Sequence, residues 1–270
     1  MICFPNAKIN IGLYVTEKRP DGYHNIETLF YPIQLKDALE IIENKDSDEP
    51  FVWSNSGIEI DAKPEDNLCV KAMMLLKQDF EIPPVKMHLH KVIPFGAGLG
   101  GGSADAAFTL VTLNDMFDLG INTAQLIKYA SQLGADCAFF IHNTAHTAKG
   151  IGDILDSNDI TLKGYHILLV KPNVHVSTPE AYQGIVPKLP ELNFSEQLKM
   201  PIQQWKNTIH NDFEDSVFPN HPVIKNIKEQ MYNEGAVYAS MTGSGAAVFG
   251  LFKEEAKLTF DDCFIWQEQI

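Results

Sequence analysis

The residues with the clearest capacity for chemistry are the glycines between Gly96 and Ser103. Five of the eight positions in Gly96-Ala97-Gly98-Leu99-Gly100-Gly101-Gly102-Ser103 are glycine. Because glycine has no Cβ, its backbone can curl closely around a phosphate and direct N–H groups at it. A helix that follows such a loop adds the positive end of its dipole. The pattern predicts a phosphate-binding loop, with the Ser103 hydroxyl directed at a phosphate oxygen or at Mg²⁺.

Other interpretations of these glycines account for less of the pattern. A flexible loop or a tight turn needs only one or two glycines. Gly96, Gly98 and Gly101 match the dinucleotide fingerprint G-x-G-x-x-G, which leaves a dehydrogenase as a distant alternative. That fingerprint follows the first strand of a compact βαβ unit, whereas this loop lies near residue 100. The sequence also lacks the Walker A lysine before Ser103 and the H-R-D and D-F-G signatures of protein kinases.

Asp136 is the acidic residue with the most suggestive surroundings. It lies among apolar residues in the segment 133–140, where an unpaired carboxylate would be costly to bury. We therefore expect a cation close to it, and a carboxylate near an attacking hydroxyl is what phosphoryl transfer requires. The alternative is a helix N-cap, which is common for an acid after a glycine that ends a helix.

Composition excludes several classes of protein. The 270 residues are 45% hydrophobic and 21% charged, which is typical of a chain that buries a substantial core, in two domains or one large α+β domain. The formal net charge is −14, and lysine and arginine are scattered, so a DNA- or RNA-binding surface is not expected. No apolar run approaches the ~18 residues of a membrane helix, and the N-terminus lacks the basic start of a secretory signal.

Cysteines and histidines do not form a recognisable metal site. The four cysteines are far apart, without a C-x-x-C pair, which favours reduced thiols in a cytoplasmic protein. His88, His90, His142 and His146 have metal-like spacings, but no acidic partners complete a site. Scattered surface histidines are the simpler interpretation.

The elements that must position the loop can be read from periodicity and turn signals. Strands are predicted at 9–15, 28–32, 38–42, 85–93, 145–149 and 165–170, with a turn at 19–22. Helices are predicted at 67–80, 104–117, 123–133 and 222–233, with Thr123 as a cap and Gly134 as a terminator. A strand, a glycine turn and a second strand follow at 237–252. The glycine loop therefore joins a strand to a helix, and a polar connection at 153–163 suggests a domain boundary.

Three segments together resemble the motifs of the GHMP family of small-molecule kinases. They are PNAKINIGLYV from Pro5, PFGAGLGGGSADAA from Pro94 and MTGSGA from Met241, and their order and spacing agree with the family over about residues 4–252. The resemblance implies an α+β, two-domain GHMP-kinase-like fold with the active site in the interdomain cleft. It implies an N-terminal ATP-binding domain at 1–157 and a C-terminal domain at 158–270, with ATP as co-substrate and Mg²⁺. One departure is Ala104, where a second serine often follows the glycines.

Within the family, Ala7-Lys8-Ile9-Asn10 and Arg19-Pro20-Asp21-Gly22-Tyr23-His24 resemble the branch whose alcohol substrate carries a cytidine diphosphate, in non-mevalonate isoprenoid synthesis, more than the sugar or mevalonate kinases. The resemblance implies that Lys8 keeps Asp136 ionised and orients the substrate hydroxyl. It implies that the nucleotide is bound by Pro94, Phe95, Gly96, Ala97, Gly98, Leu99, Gly100, Gly101, Gly102, Ser103 and Ala104, with Asn67 and Lys91, and that Ser103 is a ligand of Mg²⁺. The implied substrate-binding residues are Asn10, Tyr23, His24, Thr178 and Tyr182.

The cytidine-binding residues are expected to act through stacking. Tyr23 would stack on the base, His24 would hydrogen-bond its polar edge, and Tyr182 would close the other face. Without the resemblance, Tyr23 and His24 would be interpreted as an ordinary hairpin aromatic and a surface histidine, and the segment 242–245 as a hairpin turn. Two functional alternatives stay open: a GHMP kinase for another small alcohol, and a non-catalytic ligand sensor on the same scaffold.

Overall fold

A computed structural model of the chain describes residues 1–270. The strands are β1 (Ile2–Cys3), β2 (Asn6–Lys18), β3 (His24–Lys36), β4 (Ala38–Glu43), β5 (Phe51–Gly57), β6 (Val85–Lys91), β7 (His146–Lys149), β8 (Ile154–Ser157), β9 (His166–Pro172), β10 (Tyr238–Met241), β11 (Val248–Phe252) and β12 (Cys263–Gln269). The helices are α1 (Leu68–Leu76), α2 (Gly101–Met116), α3 (Thr123–Leu133), α4 (Cys137–His142), α5 (Thr178–Tyr182), α6 (Phe194–Leu198), α7 (Ile202–Thr208), α8 (Phe213–Val217) and α9 (Pro222–Asn233).

The first of two compact units comprises residues 1–7, 33–95 and 100–144. Its sheet has the order β1-β4-β6-β5, in which β5 and β6 are parallel and the other pairs are antiparallel. Alternate residues of β6 are buried, including Val85, Met87 and Leu89, because one face of the strand meets the core. Apolar side chains of α1, α2 and α3 complete this core. Helix α2 begins at Gly101, inside the glycine-rich segment.

The second unit comprises residues 8–32, 96–99 and 145–270. Its antiparallel sheet has the order β10-β11-β9-β12. Leu168 and Val170 of β9 share a core with Ile224, Ile227 and Met231 of α9. The glycine turn at 242–245 lies between the paired strands β10 and β11, so these two strands fix its position.

A further sheet has the order β2-β3-β7-β8. The division between the units falls inside β2 and β3, between residues 7 and 8 and between residues 32 and 33. Each unit is thus assembled from separate stretches of chain. The predicted sequence domains, 1–157 and 158–270, stay a prediction.

The structure confirms most of the elements expected from periodicity. Helix α3 spans the predicted residues 123–133 and α9 the predicted 222–233, while β4 and β6 lie within one or two residues of the expected bounds. The cap of α3 is wrong, however: Asn122 caps it, in a reciprocal pair with Gln125. Helix α2 begins at Gly101 rather than at residue 104, and α1 ends at Leu76 rather than at residue 80.

Several elements have no counterpart among the predictions. They are β1, β5, β8, β12 and the helices α4 to α8. Each of these helices has only five to seven residues, too few to show a helical period. None of the helices has the length and apolar character that a membrane-spanning segment needs.

Candidate active site

The glycine segment forms a tight loop that runs into the first turn of α2, and we call residues 94–103 the phosphate loop. Gly96, Gly98 and Gly100 have φ of +57°, +70° and +70°, in the region that side chains disfavour. A Cβ on Gly98 would lie 1.9 Å from the carbonyl oxygen of Thr242, and one on Gly96 would lie 2.6 Å from Nδ1 of His175. The backbone thus requires glycine at these positions, as the sequence predicted.

Four hydrogen bonds hold the first part of the phosphate loop. The carbonyl of Gly98 accepts from Lys8 Nζ at 3.0 Å and from Thr242 Oγ1 at 3.1 Å. The backbone N–H of Lys8 donates to the Leu99 carbonyl at 3.0 Å, and that of Ala246 donates to the Gly96 carbonyl at 3.0 Å. The turn at 242–245 therefore packs beside the phosphate loop.

Lys8 is placed at the loop by its strand. Its side chain is 3% exposed, and Nζ also donates to Asn10 Oδ1 at 2.5 Å and lies 5.0 Å from the centre of the Phe30 ring. Asn10 is equally buried: its amide donates to Thr28 Oγ1, and its backbone N–H donates to Thr242 Oγ1 at 2.9 Å. Asn10 thus links β2 to the turn, and its predicted contact with substrate stays a prediction.

The second part of the phosphate loop is the first turn of α2. The first backbone bond of the helix runs from the N–H of Ala104 to the carbonyl of Gly100, so the N–H groups of Gly101, Gly102 and Ser103 precede any acceptor within the helix. Free N–H groups and the helix dipole together favour an anion at this end. The geometry therefore suits a phosphate group.

A buried ion-pair cluster underlies this turn. Lys91 Nζ lies 2.5 Å from Asp37 Oδ2 and 2.6 Å from Asp105 Oδ2, with Lys91 1% exposed. Burial alone would lower the pKa of Lys91, but the two carboxylates outweigh it and raise that pKa. A Cβ on Gly101 would lie 3.0 Å from Lys91 Nζ, so the ammonium packs directly against the start of the helix. Lys91 is therefore a buried support of the loop, and its contact with nucleotide stays a prediction.

Asp136 lies at the start of α4, half-buried rather than buried. Asp136 thus occupies the N-cap position of this helix, as the alternative expected, but its side chain makes no capping hydrogen bond. Ser103 connects this segment with the phosphate loop: its hydroxyl is hydrogen-bonded to the Cys137 thiol, whose pKa burial raises to about 11. The loop serine and Asp136 thus lie on neighbouring segments of one unit. Lys8 belongs to the other unit, and the joint action of Lys8 and Asp136 stays a prediction.

Asn67 has a structural task in the same unit. It caps α1, and its Oδ1 accepts a hydrogen bond from the N–H of Cys69 at 2.8 Å. This is a typical cap for a helix N-terminus. Its role on the nucleotide side stays a prediction.

The structure brings part of the predicted cytidine site together. The rings of His24 and Tyr182 stack with their centres 4.7 Å apart and an angle of 19°, and Phe213 packs edge-on to Tyr182. Tyr23 is 62% exposed. Thr178 begins α5, and its hydroxyl lies 3.5 Å from that of Ser244 in the turn. His24 thus covers one face of Tyr182, whereas Tyr23 presents its ring to solvent.

Sequence reasoning missed three buried residues, of which Asn211 and Glu214 hold the turn at 242–245 and the end of β10, and Asp212 holds β2. The side-chain amide of Asn211 donates to the carbonyls of Met241 at 2.7 Å and Gly243 at 3.0 Å. Glu214 Oε1 accepts from the N–H of Met241 at 2.8 Å, and Asp212 Oδ2 accepts from the N–H of Val15 at 2.7 Å. All three are at most 5% exposed. The signal in the sequence is the dense polar run around Phe213, which is unusual between apolar elements.

Comparison with known proteins matches both halves of the chain. Residues 67–144 match the GHMP kinases N terminal domain, and residues 198–260 match GHMP kinases C terminal. A 4-diphosphocytidyl-2-C-methyl-D-erythritol kinase of Bacteroides fragilis is 55% identical, with all of both chains covered. One from Bacteroides thetaiotaomicron is also 55% identical, covering 97% of this chain and 96% of that protein.

Solved structures agree. A crystal structure of 4-(cytidine 5'-diphospho)-2C-methyl-D-erythritol kinase superimposes with a TM-score of 0.80 at 30% identity, covering 93% of this chain and 90% of that chain. A mevalonate kinase structure, 14% identical with a TM-score of 0.64, shares the fold. The two domain matches and the full-length relatives establish that the chain belongs to the GHMP kinase family.

Proposed function

We propose that this chain transfers the γ-phosphoryl group of ATP to the 2-hydroxyl of 4-diphosphocytidyl-2-C-methyl-D-erythritol (cytidyl-diphospho methylerythritol), a step of the non-mevalonate isoprenoid precursor pathway. The products are the 2-phosphate and ADP. The observation that carries the proposal is the phosphate loop, with Gly96, Gly98 and Gly100 in the left-handed region before the free N–H groups of α2. The names of the full-length relatives supply the substrate.

The phosphate loop would bind the phosphates of ATP through backbone N–H groups. Because charge spreads over the transferred group, positioning and neutralisation do most of the catalytic work. Ser103 offers a hydroxyl oxygen at the start of α2, the donor type that Mg²⁺ takes, and we propose that it holds Mg²⁺ brought in with the ATP phosphates. When bound, that ion neutralises phosphate charge.

Lys8 and Asp136 carry the transfer in this proposal. The 2-hydroxyl oxygen attacks the γ-phosphorus, the bond from that phosphorus to the ADP oxygen breaks, and the hydroxyl proton moves to the Asp136 carboxylate. Lys8 keeps that carboxylate ionised and orients the hydroxyl. Its buried ammonium, fixed to Gly98 and Asn10, supports this role because its position is set before substrate binds.

The cytidine group distinguishes this substrate from those of other family members. The exposed ring of Tyr23 offers a face for the base, and the stacked pair of His24 and Tyr182 offers an aromatic wall with a polar ring edge. Stacking of a base on an aromatic side chain contributes about 1–3 kcal/mol, enough for specificity. We propose that Thr178, at the start of α5, contributes a hydroxyl to the same site.

The test is ADP release by the purified protein with Mg-ATP and 4-diphosphocytidyl-2-C-methyl-D-erythritol. Wild type is compared with Asp136→Asn and with the matched control Asp115→Asn, an exposed aspartate of α2. We expect turnover in wild type and control, and its loss in Asp136→Asn. Wild-type turnover with homoserine or mevalonate instead would transfer the assignment to another family substrate. ATP binding without turnover of any alcohol would favour a ligand sensor.

A further inference from the structure

The cluster of Lys91, Asp37 and Asp105 has the geometry of a support for bound phosphates. The Lys91 ammonium contacts a carboxylate oxygen on each side, at 2.5 and 2.6 Å. Asp37 is fixed in turn, since its Oδ1 accepts from the N–H of Val92 at 2.6 Å and of Ile93 at 2.8 Å. The cluster thus ties the end of β6 to the first turns of α2.

The start of α2 covers the Lys91 ammonium without leaving room for another side chain. A Cβ on Gly101 would meet Ile93 Cγ2 at 2.8 Å and Lys91 Nζ at 3.0 Å, whereas one on Gly102 would have only Leu68 at 3.5 Å. Gly101 therefore packs directly against the Lys91 ammonium. Any displacement of Lys91 must move the first N–H groups of α2, which have no acceptor within the helix.

We propose that Lys91, held between Asp37 and Asp105, fixes the first turn of α2 beneath the phosphate loop, and that these three side chains are positioning residues for the phosphates of ATP. The inference rests on the proposed function for its ligand, ATP, but not for the identity of the alcohol. The Oδ1 atom of Asp105 is buried without a hydrogen-bond partner. Burying an unpaired oxygen costs stability, so a role in stability alone does not explain this carboxylate.

The first experiment measures ATP affinity directly, by calorimetry with Mg-ATP at a single pH and no alcohol present. Asp105→Asn is compared with wild type, because the change conserves shape and removes one of the two carboxylates that hold the Lys91 ammonium. We expect the Kd for ATP to rise at least about threefold in the variant, because the first turn of α2 is held less firmly. Asp46→Asn, an exposed aspartate paired with Lys86, is the matched control and should leave the Kd unchanged.

The second experiment removes the ammonium. Lys91→Met should raise the KM for ATP about tenfold and leave the KM for the alcohol unchanged, since it shifts the loop only. The control Lys86→Met, on the same strand but paired in solvent with Asp46, should leave both values unchanged. If Lys91→Met does not fold, Asp105→Asn decides alone. Unchanged ATP affinity in Asp105→Asn and Lys91→Met, with a lower melting temperature only, would overturn the inference. Weaker ATP binding in the two variants, with no turnover of the alcohol by wild type, would overturn only the proposed substrate.

Discussion

The hydroxyl of Thr242 donates a hydrogen bond to the Gly98 carbonyl across 3.1 Å and accepts one from the N–H of Asn10 at 2.9 Å. This single oxygen thus joins the turn after β10, the phosphate loop and β2. Thr242 is fully buried, so no water replaces these contacts. The phosphate loop is therefore positioned by a side chain 144 residues later in the sequence.

Replacing Thr242 by valine keeps the shape of the side chain and removes its hydroxyl. The N–H of Asn10 would then be buried without an acceptor, at a cost of about 1–3 kcal/mol in the free energy of unfolding. We expect kcat/KM for ATP to fall as well, because the Gly98 carbonyl loses one of its donors. Urea unfolding and steady-state kinetics check both effects. Thr147→Val, whose hydroxyl is on the surface of β7, is the matched control and should change neither value.

Replacing Gly98 by alanine tests the close approach of the loop to the turn. Gly98 and Gly120 have nearly the same φ, +70° and +69°, so alanine at either position carries the same backbone strain, about 1–2 kcal/mol. Only at Gly98 would the new Cβ clash, at 1.9 Å from the Thr242 carbonyl, whereas nothing lies within 4 Å at Gly120. Gly98→Ala should lose ATP binding and stability well beyond Gly120→Ala. Equal melting temperatures and equal ATP affinities in the two variants would contradict the close packing.

Asn211 holds the same turn from the other side. Its amide donates to two carbonyls, and Asn211→Ala would leave both buried without a donor. We expect a loss of about 2–4 kcal/mol in the free energy of unfolding and a lower kcat/KM for ATP. Chemical denaturation and kinetics measure the two. Asn220→Ala, which removes a longer, exposed bond to the Ser216 carbonyl, should lose less than 0.5 kcal/mol or so.

The sequence predicts the parts of the site that are local in the chain. The phosphate loop was identifiable because its five glycines fall within eight consecutive residues, and the burial of Lys91 follows from its place in the alternation of β6. Its partners were not identifiable, because Asp37 is 54 residues and Asp105 is 14 residues away, and no local pattern encodes such a pairing. Asn211 was missed for the same reason, since its acceptors lie 30 and 32 residues further along the chain.

The aromatic residues of the substrate side provide a separate prediction on specificity. Tyr23→Ala combined with His24→Ala should raise the Kd for a cytidine nucleotide by at least about tenfold, because the stacking surface is lost. The Kd for ATP should not change, and Tyr129→Ala, which removes a half-buried tyrosine of α3, should change neither Kd. Calorimetric titrations with cytidine diphosphate and with ATP measure both. Unchanged affinity for cytidine diphosphate would contradict the assignment of these residues to the base.

Asp105 also makes a prediction about stability. Its pKa in the folded protein, about 7, lies above its ordinary value of 3.8, chiefly because of burial. Between these two values the folded state binds a proton that the unfolded state has released. The free energy of unfolding must therefore fall as pH rises from about 4 to about 7, and the contribution of this group stays constant beyond that range.

In Asp105→Asn this slope is removed, since asparagine does not titrate. We expect the variant to be least stable relative to wild type near pH 4, where Asp105 is protonated in the folded state and its ordinary pKa is 3.8, and to gain relative to wild type as the pH rises to 8. Urea unfolding at intervals from pH 4 to pH 8 gives both curves, and Asp46→Asn, an exposed aspartate, serves as the control. A constant difference between wild type and Asp105→Asn across this range would show that Asp105 is ionised throughout, with the Lys91 ammonium dominating the cluster.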